Sequence, residues 1–265
     1  MVAWRLSWRE MARLAAGTGY EGIDMPRGSA EGEDPVEAHE FLTAAGIRPS
    51  IYPLPVDYRT SQDDFERGFG TMKEAAAFAA RIGCTGMTTW LPASTDWPKY
   101  AAWKLFRRRL AACADVLDGH GLRLGMEFLG TLPLRRKAAH EFVWRMEDAV
   151  EFARECGPNT GIVLDSWHWH HSGASAKEIL AAGAGQILHV HAADAPELAP
   201  EDVDDMERLM PGLGIVDFAS FFSALRSIGY LGAVSPEVFS SRMKEIAPEQ
   251  GAREGSDCMR RVMNC

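Results

Sequence analysis

Cysteine is sparse and unpatterned in this 265-residue chain: Cys84, Cys113, Cys156, Cys258 and Cys265 are scattered, odd in number and without a CxxC pair. That excludes a disulfide framework and a zinc knuckle, and it fits a reducing cytoplasm. Positive charge is also short. With 28 Lys and Arg against 37 Asp and Glu the formal charge is −9, which argues against nucleic acid as a partner, since phosphate binding relies on clustered cations. The basic run Arg107-Arg108-Arg109 reads as the solvated face of a helix. The opening MVAWRLSWREMARLAAG has charges inside any apolar window, so neither a signal peptide nor a membrane span is expected there. No Pro/Ser/Gly-rich linker, repeat or low-complexity tract divides the chain, and residues 1–265 read as one domain. Nucleotide signatures are missing too: no GxGxxG follows the first strands and no GxxxxGK[ST] occurs.

What is present is an ordinary globular composition, 46% hydrophobic and 25% charged, in a chain long enough to bury a full core. Its organisation is an alternation. Ser7-Trp8-Arg9-Glu10 fits a capping box that starts a helix running to about Gly17. Strands are expected at 21–25, 47–54, 85–91, 122–130, 160–167, 187–194 and 232–239. Helices are expected near 35–45, 63–82, 97–119, 144–156, 217–228 and 242–263. Strands alternating with helices mean a parallel sheet. A doubly wound sheet and a closed (β/α)8 TIM barrel both fit, and the missing nucleotide motifs favour the barrel. It needs an eighth strand before Ser7, where only the short MVAWRL is available, so the first strand is shortened or missing.

Chemistry in such a barrel gathers where the strands end at their C-terminal side, and alternation decides which side chains point inward. By parity, Gly125 and Glu127 share a face in LRLGMEFLG, and Val163 and Asp165 share one in GIVLDSW. His189 and His191 oppose Leu188 and Val190 in ILHVHAAD, and Ser235 and Glu237 oppose Val234 and Pro236 in GAVSPEVF. Four consecutive strands thus offer Glu127, Asp165, His191 and Glu237 at one level of the inward face. Each alone has a bland alternative: a solvated strand-end Glu, an Asp capping the next turn, a satisfied core His. Together they form a hard, mostly oxygen donor set, to which a divalent ion would supply the missing partner. In GIVLDSWHWHHSG, three histidines follow Asp165 within a segment expected to be a loop.

The stretches LGMEF, LDSWHWHHSG, HVHAAD and PGLGIVDFASFFSALRSIGYLGAVSPEVF resemble the sugar-phosphate isomerase/epimerase group of xylose-isomerase-like barrels. Ketose 3-epimerases, hydroxypyruvate isomerases and inosose dehydratases belong to that group. The resemblance implies one divalent metal, Mn2+ first, with Mg2+, Co2+ or Zn2+ as alternatives, held by Glu127, Asp165, His191 and Glu237. It implies a substrate-contacting His168, and catalysis in which Glu127 and Glu237 remove and return a proton next to a ketone, through an enediolate. The expected activity is isomerisation or epimerisation of a keto-sugar or polyol-derived ketone in cytoplasmic carbohydrate metabolism. A dehydratase, a hydrolase using the same site, and a non-catalytic binding barrel remain as alternatives. Family members are often dimers or tetramers, so a homo-oligomer is expected. The related three-metal DNA-repair nucleases place histidines where this chain reads IYPLP, TTWLP and MPGLGIVDF, which have none. Sugar epimerases carry an Arg shortly after the strand-seven His, whereas DAPELAPEDVDD here is acidic. Arg208 is the candidate to replace that Arg, and a neutral substrate is favoured over a sugar phosphate. Trp90 is a candidate sugar-stacking wall. Trp103 reads as core, Trp167 as packing outside the site, His189 as core or as a support to the ligands, and His170 and His171 as loop or interface residues.

Overall fold

The computed structural model describes residues 6–29 and 31–264. Ten strands occur among them: β1 (Gly22–Ile23), β2 (Arg48–Pro49), β3 (Ile51–Pro53), β4 (Gly86–Trp90), β5 (Ser94–Thr95), β6 (Arg123–Glu127), β7 (His140–Glu141), β8 (Thr160–Asp165), β9 (Ile187–Ala192) and β10 (Val234–Pro236). The α-helices are α1 (Trp8–Thr18), α2 (Pro35–Ala45), α3 (Gln62–Ile82), α4 (Lys99–Asp118), α5 (Leu132–Arg135), α6 (Met146–Cys156), α7 (Ser166–His171), α8 (Ala176–Ala182), α9 (Phe218–Ser227), α10 (Ser241–Glu245) and α11 (Pro248–Met263).

Six strands form one parallel sheet in the order β10-β9-β8-β6-β4-β3, and β1 pairs with β2 in parallel. The Ile23 carbonyl accepts from Ser50 N and the Ile51 carbonyl accepts from Met25 N, both at 2.9 Å, which carries the curved sheet on to β1. The expected first strand, MVAWRL, lies outside the described residues except for Leu6. Short β5 and β7 form a separate antiparallel ribbon. The capping box is present: Glu10 N donates to Ser7 Oγ and Ser7 N donates to Glu10 Oε2. No helix among the described residues is long and apolar enough to cross a membrane.

Four local expectations need correction. SWHWHH is a helix rather than a strand end and loop, because the Asp165 carboxylate caps it by accepting from Trp167 N at 2.8 Å. The closing helix breaks between α10 and α11, where Pro248, which has no N–H to donate, opens the second. Arg109 is buried rather than solvated; its guanidinium donates to the carbonyls of Tyr58 and Thr60 at 2.8 and 2.7 Å and ties down the loop before α3. Leu188 is not on the outward face. Register passes from Ile162↔Ile187 to Val163↔His189, so Leu188 is the extra residue of a β-bulge. It turns into the barrel against Gly125, where a Cβ would meet Leu188 Cδ2 at 2.6 Å.

The motif HAAD…PGLGIV has a direct structural reason. Buried Asp194 accepts four backbone N–H groups, from Ala195, Gly212, Gly214 and Val216, at 2.8 to 2.9 Å. Gly214 lies so close that a Cβ would stand 2.2 Å from the Ala195 carbonyl oxygen. Asp194→Ala orphans these donors and is expected to lower unfolding free energy by about 3 kcal/mol. Urea denaturation checks this, and a loss below about 1 kcal/mol contradicts the staple.

Candidate metal and substrate site

The ends of β6, β8, β9 and β10 bring together the four residues singled out by parity. One ligand atom from each of Glu127, Asp165, His191 and Glu237 lies within 4.8 Å of the others. His191 Nδ1 stands 3.3 Å from Glu127 Oε1 and 3.6 Å from Glu237 Oε2. Asp165 is fully buried and divides its labour. One oxygen caps α7, and the other receives Arg208 Nη1 at 2.7 Å. The same guanidinium nitrogen is 3.2 Å from Glu237 Oε2.

Charge is the governing quantity here. Three carboxylates and one guanidinium leave two negative charges if the imidazole is neutral, in a place where isolated charge is costly. Without a cation, protons are drawn in. Burial pushes the Glu127 carboxyl up to about 7, aided by the neighbouring Glu237 and opposed by the His191 hydrogen bond. Burial works against a charged His191, but Glu237, with hydrogen bonds to Asp24 and Glu127, outweighs it and holds that imidazole well above its usual range. Asp165 goes the other way: burial is overcome by Arg208, and its carboxyl is lowered. A divalent ion would balance the charge that these protons now balance, and an oxygen-rich set with one imidazole suits a hard or borderline cation. The residues therefore fit a metal.

A cavity of about 340 Å³ opens over Glu127, His191 and Glu237. Of the three residues expected to contact substrate, Trp90 lines it, with Arg59 stacked 3.6 Å from its ring centroid. Arg208 and His168 do not line it. Arg208, 2% exposed, is drawn onto the carboxylates. His168 is fully buried behind it because α7 carries it away from the strand end, and its Nδ1 accepts from Gly130 N at 3.2 Å. Trp167 packs beneath Arg208 and donates to Asp205. His171 stacks edge-on against Trp167, with centroids 4.4 Å apart, and His170 against His171, so both are packing residues on α7 rather than loop residues. Burial pushes His171 down to about 4. Trp103 packs on Phe142 and Phe152, away from the cavity.

Four further residues at the site were not picked out from the sequence. Arg27 and Arg59 line the cavity, with Asp57 bound to Arg59 at 2.9 Å. Asp24, one residue past β1, approaches His191 Nε2 at 3.5 Å and His189 Nε2 at 3.3 Å. The position of Asp24 at the end of EGID matches that of Asp165 at the end of GIVLD, a signal that was legible.

Comparison with known proteins agrees with this architecture. A family model described as xylose isomerase-like TIM barrel matches residues 12–262. The chain is 28% identical over 142 residues to the inosose isomerase of Bacillus subtilis (strain 168), covering 53% of this chain and 49% of that protein. It is 29% identical over 137 residues to the 3-dehydroshikimate dehydratase of Pseudomonas putida, 51% of this chain and 20% of that protein. It is 26% identical over 208 residues to the L-ribulose 3-epimerase of Mesorhizobium japonicum, 75% of this chain and 63% of that protein. The matches thus span about half the length of the inosose isomerases. Among solved structures, a xylose isomerase domain protein from Alicyclobacillus acidocaldarius superposes with a TM-score of 0.90 at 26% identity, covering 99% of this chain and 95% of that one. The IOLI protein with a bound zinc atom superposes with a TM-score of 0.84 at 20% identity, covering 98% and 94%. The chain belongs to the xylose isomerase-like TIM barrel family.

Proposed function

We propose that this chain is a metal-dependent isomerase or epimerase that acts on a keto-sugar or polyol-derived ketone by moving a proton next to the carbonyl. The observation that carries it is the convergence of Glu127, Asp165, His191 and Glu237 beneath one small cavity. These four would hold the ion, with Mn2+ the first choice. When bound, a divalent ion supplies Lewis-acid polarisation of the ketone and offsets charge on the enediolate.

The remaining work falls to side chains. Glu127 ends β6 and Glu237 follows β10, with β8 and β9 between those strands, and so the two flank a substrate from two directions. One carboxylate removes the proton and the other returns it, which requires basicity tuned near neutrality. Trp90 with its stacked Arg59, and Thr88 and Thr89, offer the cavity an aromatic edge and hydroxyls for substrate oxygens. A cavity of about 340 Å³ is at the small end for ligand pockets and suits one sugar-sized ring.

A dehydratase is the second reading, and Arg27 with Arg59 at the cavity favours it. Two guanidinium groups suit a carboxylated cyclic ketone, from which Glu127 or Glu237 would remove the proton while the β-hydroxyl leaves as water. Proton exchange in D2O tests both. The metal-loaded protein should place deuterium on the carbon next to the ketone in recovered keto-sugars or inososes. Loss of water with an enone absorbance on a carboxylated substrate selects the second reading instead. Neither signal, across both substrate sets, contradicts the proposal.

Protons and metal compete for the same groups, so a pH dependence follows. Glu127 near 7 and a raised His191 are protonated in the metal-free fold below neutrality and must release protons to bind. Metal affinity should therefore fall as pH drops from about 8 to 6 by up to about tenfold per pH unit for each proton released. Calorimetry in buffers of different ionisation enthalpy reads that release; none at pH 6 contradicts the assignment.

A further inference from the structure

The layer beneath His191 holds two donors, Asp24 and His189, that the proposed reaction does not use. Asp24 Oδ2 lies 3.3 Å from His189 Nε2 and 3.5 Å from His191 Nε2. The three ligand atoms lie within 4.8 Å of one another. The other Asp24 oxygen accepts from the Ser50 hydroxyl, which leaves Oδ2 directed at the two rings.

An ordinary hydrogen-bonded carboxylate does not explain this arrangement. His189 is 1% exposed, yet its Nε2 has no hydrogen-bond partner among the described residues. Buried polar atoms are rarely left so. The two separations are long for charge-assisted hydrogen bonds, which run about 2.7–2.9 Å. They match the edge of a tetrahedral site instead: bonds of about 2.0–2.1 Å to nitrogen or oxygen put ligands about 3.4 Å apart. Asp24 retains 27% side-chain exposure, which gives an ion and a fourth ligand water a way in.

We propose that Asp24, His189 and His191 form a second cation site, one layer below the first, that takes a borderline ion such as Zn2+. Two imidazoles and one carboxylate are a nitrogen-rich set that prefers zinc to Mn2+ or Mg2+, whereas the upper set has three carboxylates and one imidazole. His191 serves both, with Nδ1 toward Glu127 and Glu237 and Nε2 toward Asp24. With both sites filled, His191 would offer one ring nitrogen to each ion, which requires its second ring proton to pass to solvent.

The test is a zinc titration of chelator-stripped full-length protein, followed by desalting and metal analysis. About two zinc ions per chain are expected for the wild type and about one for Asp24→Asn or His189→Leu. Manganese, which favours the upper site, should stay at about one in the wild type and in His189→Leu. One zinc in the wild type, or two in both variants, overturns the proposal and leaves Asp24 as a hydrogen-bond acceptor for the two rings. If neither variant folds, anomalous scattering at the zinc edge from wild-type crystals decides. A peak between Asp24 and His189 is expected; its absence overturns the site. One manganese ion with only one zinc ion leaves the proposed reaction standing, so the two claims fail separately.

Discussion

Glu127→Gln is expected to lower kcat about a thousandfold on a substrate that the wild type turns over, with the fold intact. The exchange preserves shape and removes the two properties assigned to this carboxylate: its ability to accept a proton and its negative charge beside His191. Gln is neutral, so burial that pushes the Glu127 carboxyl up to about 7 imposes no comparable cost on the amide. Melting temperature without metal should thus stay near wild type while deuterium exchange next to the ketone disappears. Glu237→Gln should follow the same pattern, since its carboxylate lies across His191 Nδ1. A fall in kcat smaller than about tenfold would remove Glu127 from proton transfer, because positioned acid–base groups contribute about a hundredfold or more.

Arg208→Met carries the largest expected effect on stability. The guanidinium is buried with Asp165 and Glu237 at 2.7 and 3.2 Å. Removing it leaves carboxylate charge without a partner, which costs about 3–5 kcal/mol in buried pairs. Met keeps much of the packing against Trp167 and Phe239, the rings that the guanidinium overlies. A divalent cation bound nearby offsets the same charge, so saturating Mn2+ should rescue the variant more than it stabilises the wild type. Ligand at about a thousand times its Kd contributes about 4 kcal/mol by mass action, comparable with the loss. Thermal unfolding with and without Mn2+ reads this directly. A deficit that Mn2+ leaves unchanged would mean that Arg208 acts through packing alone.

The sequence made the barrel strands and the upper donor set legible because β6 and β8 alternate cleanly up to an acidic residue. Glu127 and Asp165 each end a run whose partners are apolar, and inward parity held through Gly125 and Val163. Alternation failed at Leu188, since a bulge inserts one residue without changing the composition of the strand. At Asp24 the two-residue β1 is too short to show a period, so the legible mark is the acid that ends EGID as Asp165 ends GIVLD. The family resemblance implies a substrate contact for His168. The six-residue α7, nucleated by the Asp165 cap, carries it behind Arg208 instead. Arg109 reads as solvated beside two other arginines, but the carbonyls of Tyr58 and Thr60, the Gln62 side chain and the Phe65 ring, all far along the chain, account for its burial. Long-range partners of this kind leave no local trace.

The central claim is that Glu127, Asp165, His191 and Glu237 hold one catalytic divalent cation. Equilibrium dialysis of chelator-stripped protein against Mn2+, with wild type beside the double variant Glu127→Gln/Glu237→Gln, tests it most directly. The account predicts about one tightly held manganese ion per chain in the wild type and none in the double variant, with both folded by circular dichroism. A folded wild type that binds no manganese, or a double variant that binds as much as the wild type, would contradict it.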